Sequence, residues 1–436
     1  MDKEMGEEEK MAGNLVRVRE FIMEDLPAVE ELERLCQAGL SSDQGYNGGG
    51  DDANNKNSKK KEKKKKKRGM SLYVEQIGDP FARVRHAPDH VILVAEYGDD
   101  EQVVGVIKAC VRMVSRGGSS WRKAKTKKYV KAACLLGLRV SPSHRRLGIA
   151  TELVRRAEAW CAARGAAYAT MATTASNAAS LSLFEGRFAY ARFRRPLFLG
   201  HPVHRHRARV PRAHRVLQLA PPFAAAAYAA LFPPTPATDA AEFVPADLPA
   251  LLAHKLTRGT YLAVERSPAD AARRPTSFAV LSVYDATRSL SFRVGGAPPL
   301  LRASLAAARA LDRRAPWLHV PSVPDVFRPF GAYLLYGLHM SGPSGPALLR
   351  TLCRHAHNVA RKNPTCAVVA ADIGPNDPAA AAVPHWPRFS CDEDVWCIKK
   401  LSSVATNGNA GDDAVVDDDW TTAPPPAVLF VDPREF

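Results

Sequence analysis

The chain has 436 residues, 46% hydrophobic and 24% charged, which is enough for two domains of ordinary size. Its 61 lysines and arginines exceed its 45 acidic residues and give a net charge of +16, but Lys59–Arg68 alone carries half of that excess. The longest apolar run, Phe223–Phe232, spans ten residues, whereas a bilayer needs about 20. A membrane-spanning helix and a uniformly basic fold are therefore excluded.

The opening stretch and the cysteines restrict the class of protein further. Met1–Glu9 is acidic and has no apolar core, so we expect neither a secretory signal nor a transit peptide. Eight cysteines are scattered along the chain without a CxxC pair, which predicts no zinc ribbon, no disulfide framework and no metal site. Most lie in apolar runs, as is typical of buried thiols in a reducing compartment.

Hydrophobic periodicity predicts an α/β unit in the first half, in the order β-α-β-β-β-α-β. A disordered insertion at 39–69, rich in Gly, Asn, Ser and Lys, interrupts this unit, and a basic loop follows its third strand. The predicted elements are strand 15–21, helix 24–35, strands 90–97, 103–111 and 132–140, helix 151–164 with Gly165 at its end, and strand 166–172.

The second half repeats part of this pattern. Leu135–Ser141 (LLGLRVS) matches Leu335–Ser341 (LYGLHMS) at an offset of 200, and in both copies a helix and an apolar strand follow. We interpret this as a duplicated α/β unit whose second copy has diverged. The alternative is that any two strand-helix-strand units share such a pattern.

These patterns divide the chain into five parts. We expect a disordered N-terminus at 1–13, a first α/β domain at 14–200, a basic and Pro/Ala-rich connector at 201–239, a second, diverged α/β domain at 240–403, and an acidic, Pro-containing tail at 404–436. The tail is predicted to be mostly disordered, although its last eight residues are apolar enough to dock.

The turn after the predicted central strand has the character of an anion site. Arg145-x-x-Gly148-x-Ala150 lies between strand 132–140 and the next helix. Small residues let backbone N–H groups approach an anion, the helix N-terminus adds unpaired donors, and Arg145 and Arg146 add charge. The alternatives are a glycine-containing turn of an ordinary α/β protein and a dinucleotide site, which would need the absent GxGxxG pattern.

Residues 145–150 resemble the acetyl-CoA motif [Q/R]-x-x-G-x-[G/A] of the GCN5-related N-acetyltransferase (GNAT) superfamily. Asn177–Phe184 resembles the N-x-x-[A/S]-x-x-L-[Y/F] helix that follows it in that family. The resemblance covers about residues 14–200 and implies a mixed sheet flanked by helices, with a second, diverged GNAT-like unit behind it. The cofactor implied is acetyl-CoA, bound through Leu138, Val140, Arg145, Arg146, Leu147, Gly148, Ile149, Ala150 and Asn177.

A narrower resemblance covers both halves. Gly137–Arg146, the Asn177–Phe184 helix, Phe198–Val203 and Val431–Phe436 look like the plant Hookless-type N-acetyltransferases. This resemblance implies a nuclear regulator of differential growth linked to ethylene, auxin and light responses.

The catalytic groups are not evident from the residues. An acceptor lysine has a pKa near ~10.4 and must lose a proton before attack, while the family implies that the N–H groups of Leu138 and Val140 stabilise the thioester oxygen. Phe184 stands where the family often has a proton-donating tyrosine; Tyr190 is the nearest substitute, with a core aromatic as the alternative. Strand 132–140 carries no acid, and Glu96 is a candidate base or a solvated strand end.

The remaining motifs concern the second copy and the partners. Ser341–Ala347 has lost both arginines and contains Pro343 and Pro346, so we expect no good CoA site there. Lys59–Arg68 predicts a nuclear import signal or loose nucleic-acid contact, or else a solvated insertion. The acid-free stretch 192–215, with eight arginines and four histidines, predicts a basic connector that could attract an acidic partner, CoA phosphates or nucleic acid, rather than a metal site.

Two functions follow. The first is an acetyl-CoA-dependent N-acetyltransferase that acts on a protein amine, such as a histone lysine, in the nucleus and at no membrane. The second is a non-catalytic regulatory scaffold that keeps the fold, with or without CoA binding. Phe184 favours the scaffold, and the intact Arg145–Ala150 loop favours the enzyme.

Overall fold

A computed structural model describes residues 16–36, 38–39, 71–99, 101–117, 129–232, 241–266, 276–319, 322–391, 394–401 and 419–435. The predictions for 1–13, for nearly all of the insertion including Lys59–Arg68, and for 402–418 lie outside these residues. Within them, no helix combines the length and the hydropathy needed to cross a bilayer.

The strands and helices are these, numbered in chain order. The strands are β1 (Val16–Glu20), β2 (Ala38–Gly39), β3 (Ser71–Gln76), β4 (Asp89–Tyr97), β5 (Gln102–Arg116), β6 (Tyr129–Val140), β7 (Tyr168–Thr174), β8 (Ala191–Arg194), β9 (Leu197–Pro202), β10 (His214–Leu219), β11 (Glu242–Pro245), β12 (Thr257–Glu265), β13 (Phe278–Asp285), β14 (Leu290–Gly295), β15 (Gly331–Ser341), β16 (Cys366–Ile373) and β17 (Asp394–Lys400). The helices are α1 (Leu26–Leu35), α2 (Ile149–Ala163), α3 (Ala178–Leu181), α4 (Pro221–Leu231), α5 (Leu248–Leu252), α6 (Pro299–Arg314) and α7 (Gly345–Ala360).

Two large mixed sheets form the body of the protein. The first has the order β1-β4-β5-β6-β7-β17-β8, with β11 also on β5, and the second has the order β10-β12-β13-β15-β16-β9. Only β6 with β7 and β15 with β16 are parallel pairs, because in each case a helix crosses between the two strands. The buried side chains of α2 (Leu153, Val154, Ala157, Cys161) cover the first sheet, and those of α7 cover the second.

The second unit repeats the first, which confirms the predicted fold class. Strands β10, β12, β13, β15 and β16 occupy the places of β1, β4, β5, β6 and β7. The irregularity is repeated too: the β5–β6 register shifts between Val106 and Lys108, and the β13–β15 register shifts between Val280 and Ser282. The strand opposite each shift has a glycine of positive φ, Gly137 or Gly337.

The two units exchange strands, which the predicted domain boundaries did not foresee. β9 leaves the first unit and pairs with β16, and β17 leaves the second unit and pairs with β7. A boundary at 200 therefore does not separate the sheets, and β17 belongs to the first sheet although it lies within 240–403. Sequence periodicity identifies a strand but not the sheet edge on which it pairs.

Three further predictions need correction. The connector 201–239 contains β10 and α4, whose Ala224 and Tyr228 are fully buried, so its Ala-rich stretch is a core helix. Gly39 is not in the disordered insertion but pairs with Tyr73 in a small sheet of order β14-β3-β2 that joins the two halves. Residues 419–435 of the tail are packed, with Trp420 and Phe430 buried.

Candidate cofactor and transfer site

An opening between two parallel strands defines the site. β6 and β7 pair only from Ala132–Tyr168 to Leu135–Met171. Beyond that point β6 stays paired with β5 alone, as far as Val140. Among the described residues, no strand pairs with the other edge of residues 136–140, so backbone N–H groups on that edge can meet a ligand.

Leu138 and Val140 both face this open edge. The N–H of Ser141 donates to the Val104 carbonyl at 2.8 Å, and hydrogen-bonding direction alternates along a strand, so the Val140 N–H points away from β5. Two side chains mark the same edge: the Cys36 thiol donates to the Val140 carbonyl at 3.2 Å, and Arg139 donates to the Leu138 carbonyl at 3.1 Å. The Val140 N–H is thus on the open edge, and the Leu138 N–H as a second donor to the thioester oxygen stays a prediction.

The loop after β6 leaves its backbone donors unused. Among the described residues, no acceptor lies on the seven successive N–H groups from Arg145 to Thr151. Gly148 begins α2 with φ +77°, and a Cβ added there would meet no atom within 4 Å. Arg145 and Arg146 are exposed, while Ile149 is buried and anchors the turn. An open, cationic cradle of N–H donors at a helix N-terminus fits a pyrophosphate.

Asn177 has a local structural role beside this opening. Its Oδ1 accepts the Ser180 N–H at 3.2 Å and so caps α3, while its Nδ2 donates to Thr173 Oγ1 at 3.1 Å, near the end of β7. The amide therefore fixes the start of α3 against β7, and its direct contact with a cofactor remains a prediction.

Tyr190 is buried in the core of the first unit. Its ring packs edge-on against Phe184 at 5.1 Å, and Lys399 lies over it at 5.7 Å. Lys399 pairs with Ala169, near the start of β7 and away from the diverging ends. Burial, together with Glu158 from the far half of α2, raises the pKa of Tyr190 well above its usual value. Tyr190 is thus buried as a core aromatic, the alternative given above, and a part in proton transfer stays a prediction.

Glu96 is neither a solvated strand end nor a free base. It is buried and accepts a hydrogen bond from Arg19 Nε at 2.6 Å. The same guanidinium holds both oxygens of Asp25 at 2.6 and 2.7 Å and lowers the pKa of that carboxyl. The three side chains form an ion triad that ties β1 and β4 to the start of α1.

A buried charged group beneath the bulge was missed by the sequence analysis. Lys108 is 1% exposed, donates to Gln76 Oε1 at 2.5 Å and lies 3.5 Å from Glu33 Oε1. Arg139 is 3.3 Å from Glu33 Oε2. Burial lowers the pKa of Lys108 to about 8, and a Cβ on Gly137 would touch its side chain. One signal was available: Lys108 is the only charged residue in the apolar run 103–111.

The equivalent opening in the second unit is filled. The Tyr228 hydroxyl donates to the Gly337 carbonyl at 2.9 Å and lies 3.0 Å from Ser282 Oγ. In the loop, the Ser344 N–H donates to Ser277 Oγ at 3.2 Å, and a Cβ on Gly342 would lie 2.2 Å from the Thr276 carbonyl. The protein itself thus occupies the space and donors that are open around Gly148.

Known proteins resemble the chain at two levels. The model of the acetyltransferase (GNAT) family matches residues 62–190. "Acetyl transferase GW6a" of Oryza sativa subsp. japonica is 70% identical over 434 residues, covering 97% of this chain and 98% of the relative. "Probable N-acetyltransferase HLS1-like" of Arabidopsis thaliana is 38% identical, covering 97% and 99%.

Solved structures show a weaker likeness. A GCN5-related N-acetyltransferase from Kribbella flavida is 12% identical with a TM-score of 0.41, covering 88% of this chain and 71% of that one. Saccharomyces cerevisiae N-myristoyltransferase with bound myristoyl-CoA is 11% identical with a TM-score of 0.44, covering 88% and 82%.

The diverging parallel strands, the open N–H cradle and the family match define an acetyltransferase of the GNAT class. The curated relatives match nearly the whole chain, not the GNAT domain alone, and so identify one group of proteins within this class. The chain belongs to the Hookless-type N-acetyltransferases of plants.

Proposed function

We propose that this protein transfers the acetyl group of acetyl-CoA to a primary amine of a protein, with histone lysine as the acceptor to test first. The observation that carries the proposal is the run of seven unpaired N–H donors from Arg145 to Thr151. These donors sit at the N-terminus of α2, beside the open edge of β6. Their position suits a ligand that has a pyrophosphate at one end and a reactive carbonyl at the other.

Each part of the site then has a task. Acetyl-CoA, when bound, supplies an activated thioester. Arg145, Arg146 and the Gly148 turn hold its pyrophosphate, and the N–H groups of Leu138 and Val140 donate to the carbonyl oxygen as negative charge develops there. The Cys36 thiol donates to the Val140 carbonyl at 3.2 Å and so would help to fix the strand edge that faces the cofactor.

We assign no side chain as the base that deprotonates the acceptor amine or as the acid that protonates the leaving thiolate. An acceptor amine must lose its proton before attack, yet Glu33 and Glu96 are both held by cations, Glu33 by Lys108 and Arg139 and Glu96 by Arg19. Tyr190 is buried in the core. These pairings support the second candidate function, a regulatory scaffold that binds CoA without turnover.

One experiment separates the two functions. Acetyl-CoA is added to the full chain, and thermal unfolding shows whether it binds; release of free CoA is then followed with histone peptides and with the same peptides acetylated on every amine. A raised melting temperature and release that depends on a free amine support the enzyme. Binding without release on any amine supports the scaffold, and no binding refutes both.

We further propose that the protein acts in the nucleus as a regulator of plant differential growth and hormone response. Two features support this: similarity to Hookless-type relatives over nearly the full chain and the density of positive charge at Lys59–Arg68. Localisation of the tagged chain in plant cells tests the proposal, and exclusion from the nucleus contradicts it.

A further inference from the structure

A second cluster of chemistry-bearing side chains lies on the face of the first sheet that α2 does not cover. Cys110 of β5 is fully buried and is the direct cross-strand partner of Cys134 of β6. His86 comes from the turn before β4, and Glu435 from the packed closing segment. The transfer chemistry proposed above uses none of these side chains.

The distances among three of them suit a metal ion. Glu435 Oε1 lies 3.8 Å from Cys110 Sγ and 3.6 Å from His86 Nε2, and the three potential ligand atoms all lie within 4.8 Å of one another. In a tetrahedral zinc site, bond lengths of about 2.3 Å to sulfur and about 2.1 Å to nitrogen and oxygen separate the ligand atoms by about 3.4–3.6 Å. Two of the three separations are within a few tenths of an ångström of that.

His86 provides an independent reason to expect a ligand. Its side chain is only 6% exposed, and neither ring nitrogen has a hydrogen-bond partner among the described residues. A buried polar atom without a partner costs about 1–3 kcal/mol, and most such atoms in proteins are paired. Its Nε2 is aimed at Glu435 and Cys110, where a bound ion would satisfy it.

We propose that His86, Cys110 and Glu435 bind one Zn²⁺ ion or a similar divalent transition metal. Thiolate, imidazole and carboxylate are the ligand types that such ions combine. Arg112 donates to both Glu435 oxygens and so orients the carboxylate from behind, as groups around metal ligands commonly do. Each carboxylate oxygen keeps a further lone pair for the metal.

Binding exchanges a proton for the ion. A cysteine thiol is ordinarily protonated at neutral pH, so Cys110 must lose its proton to become a metal ligand. The metal–sulfur bond then forms as the S–H bond breaks, and the proton passes to solvent. Because Glu435 and Cys110 are 325 residues apart, the ion ties the closing segment to the first sheet.

The test uses the full-length protein with Zn²⁺ and Co²⁺ as probes. We expect about one zinc per chain by elemental analysis, a melting temperature that falls with chelator and recovers with Zn²⁺, and, with Co²⁺, a thiolate charge-transfer band and the bands of tetrahedral cobalt. The variants Cys110→Ala and His86→Gln should each lose at least tenfold in metal affinity.

Cys161→Ala is the matched control, since Cys161 is equally buried but lies on α2, against the opposite face of the sheet. It should keep the full metal content and the cobalt spectrum. The proposal is overturned if the purified protein contains no metal and its melting temperature does not change when Zn²⁺ is added. The proposal is also overturned if Cys110→Ala and His86→Gln bind metal as tightly as the control variant does. If one variant does not fold, the other decides.

Discussion

Gly137 and Gly337 occupy the same bulge in the two units, with φ values of +65° and +61°. Their surroundings differ. A Cβ on Gly137 would meet the aliphatic part of Lys108 at 3.5 Å, whereas a Cβ on Gly337 would lie 2.6 Å from the Tyr228 hydroxyl. The duplicated backbone is thus kept in both copies, while the side chain beside the bulge glycine differs and packs more tightly in the second.

The anion cradle gives the first prediction. Gly148→Asp should abolish CoA binding, because it places a carboxylate beside the pyrophosphate and a side chain where the backbone must approach. Gly98→Asp is a matched control: Gly98 has the same φ of +77° and the same open space, in the turn after β4. Calorimetry should show binding lost in the first variant and kept in the second. Equal affinities in two folded variants would remove the site assignment.

The second prediction concerns the closed copy. Tyr228→Phe removes the hydroxyl that serves the Gly337 carbonyl and Ser282, leaving buried polar groups unpaired. We expect unfolding to require about 1–3 kcal/mol less free energy, with no change in CoA affinity. Urea denaturation and calorimetry on the same preparation check both parts. A large loss of CoA affinity without a change in stability would show that the second copy holds the cofactor.

The third prediction tests the joint between the units. Arg194 of β8 holds Glu242 of β11 at 2.6 and 2.7 Å, and Trp420 also donates to Glu242 at 2.7 Å. Arg194→Ala removes the cation from a buried carboxylate, which keeps the Trp420 hydrogen bond, and should cost about 3–5 kcal/mol of unfolding free energy. Arg192→Ala, on the same strand, breaks an exposed pair with Glu185 and should change the melting temperature little. Similar losses in both variants would contradict this ranking.

The fourth prediction uses pH. Burial lowers the pKa of Lys108 from 10.5 to about 8, so the folded state releases this proton before the unfolded state does. The stability of the wild type should therefore rise between pH 8 and 10.5, whereas below pH 8 the full cost of the buried charge is present. The wild type should therefore gain about 3 kcal/mol of stability relative to Lys108→Met between pH 8 and pH 10.5.

Urea unfolding across that pH range measures the difference. Lys131→Met is the control, because Lys131 is an exposed lysine on neighbouring β6, and it should follow the wild-type pH slope. A constant difference between Lys108→Met and wild type would show that Lys108 does not change charge on folding.

The fifth prediction concerns Lys59–Arg68. Deleting these residues should leave CoA affinity unchanged, because every residue of the cradle lies beyond Ala132, and should weaken nuclear accumulation. Replacement of the nine basic residues by serine and glycine at constant length separates charge from loop length. If the deletion variant accumulates in the nucleus as much as the full chain does, the segment is not an import signal. If the deletion abolishes CoA binding, the segment packs on the domain.

The features that could be predicted from the sequence are those set by residues close to one another in the chain. The Arg145–Ala150 turn was predictable because its donors, its charge and its helix start lie within a few positions. The duplication was predictable because the LLGLRVS and LYGLHMS strands carry the same bulge glycine. Short-range periodicity and spacing are physical constraints on the local backbone, and they can be recognised without the rest of the molecule.

Tertiary structure decided everything that depends on distant partners. The local patterns of β9 and β17 do not specify which sheet each strand joins, and only the assembled sheets select those edges. Tyr190 proved to be a core residue and Glu96 a member of an ion triad, because burial and pairing depend on what packs against a side chain. Cys110 and Glu435 meet across 325 residues, a separation at which no spacing rule operates, since contact there is set by the packing of whole elements rather than by the local backbone.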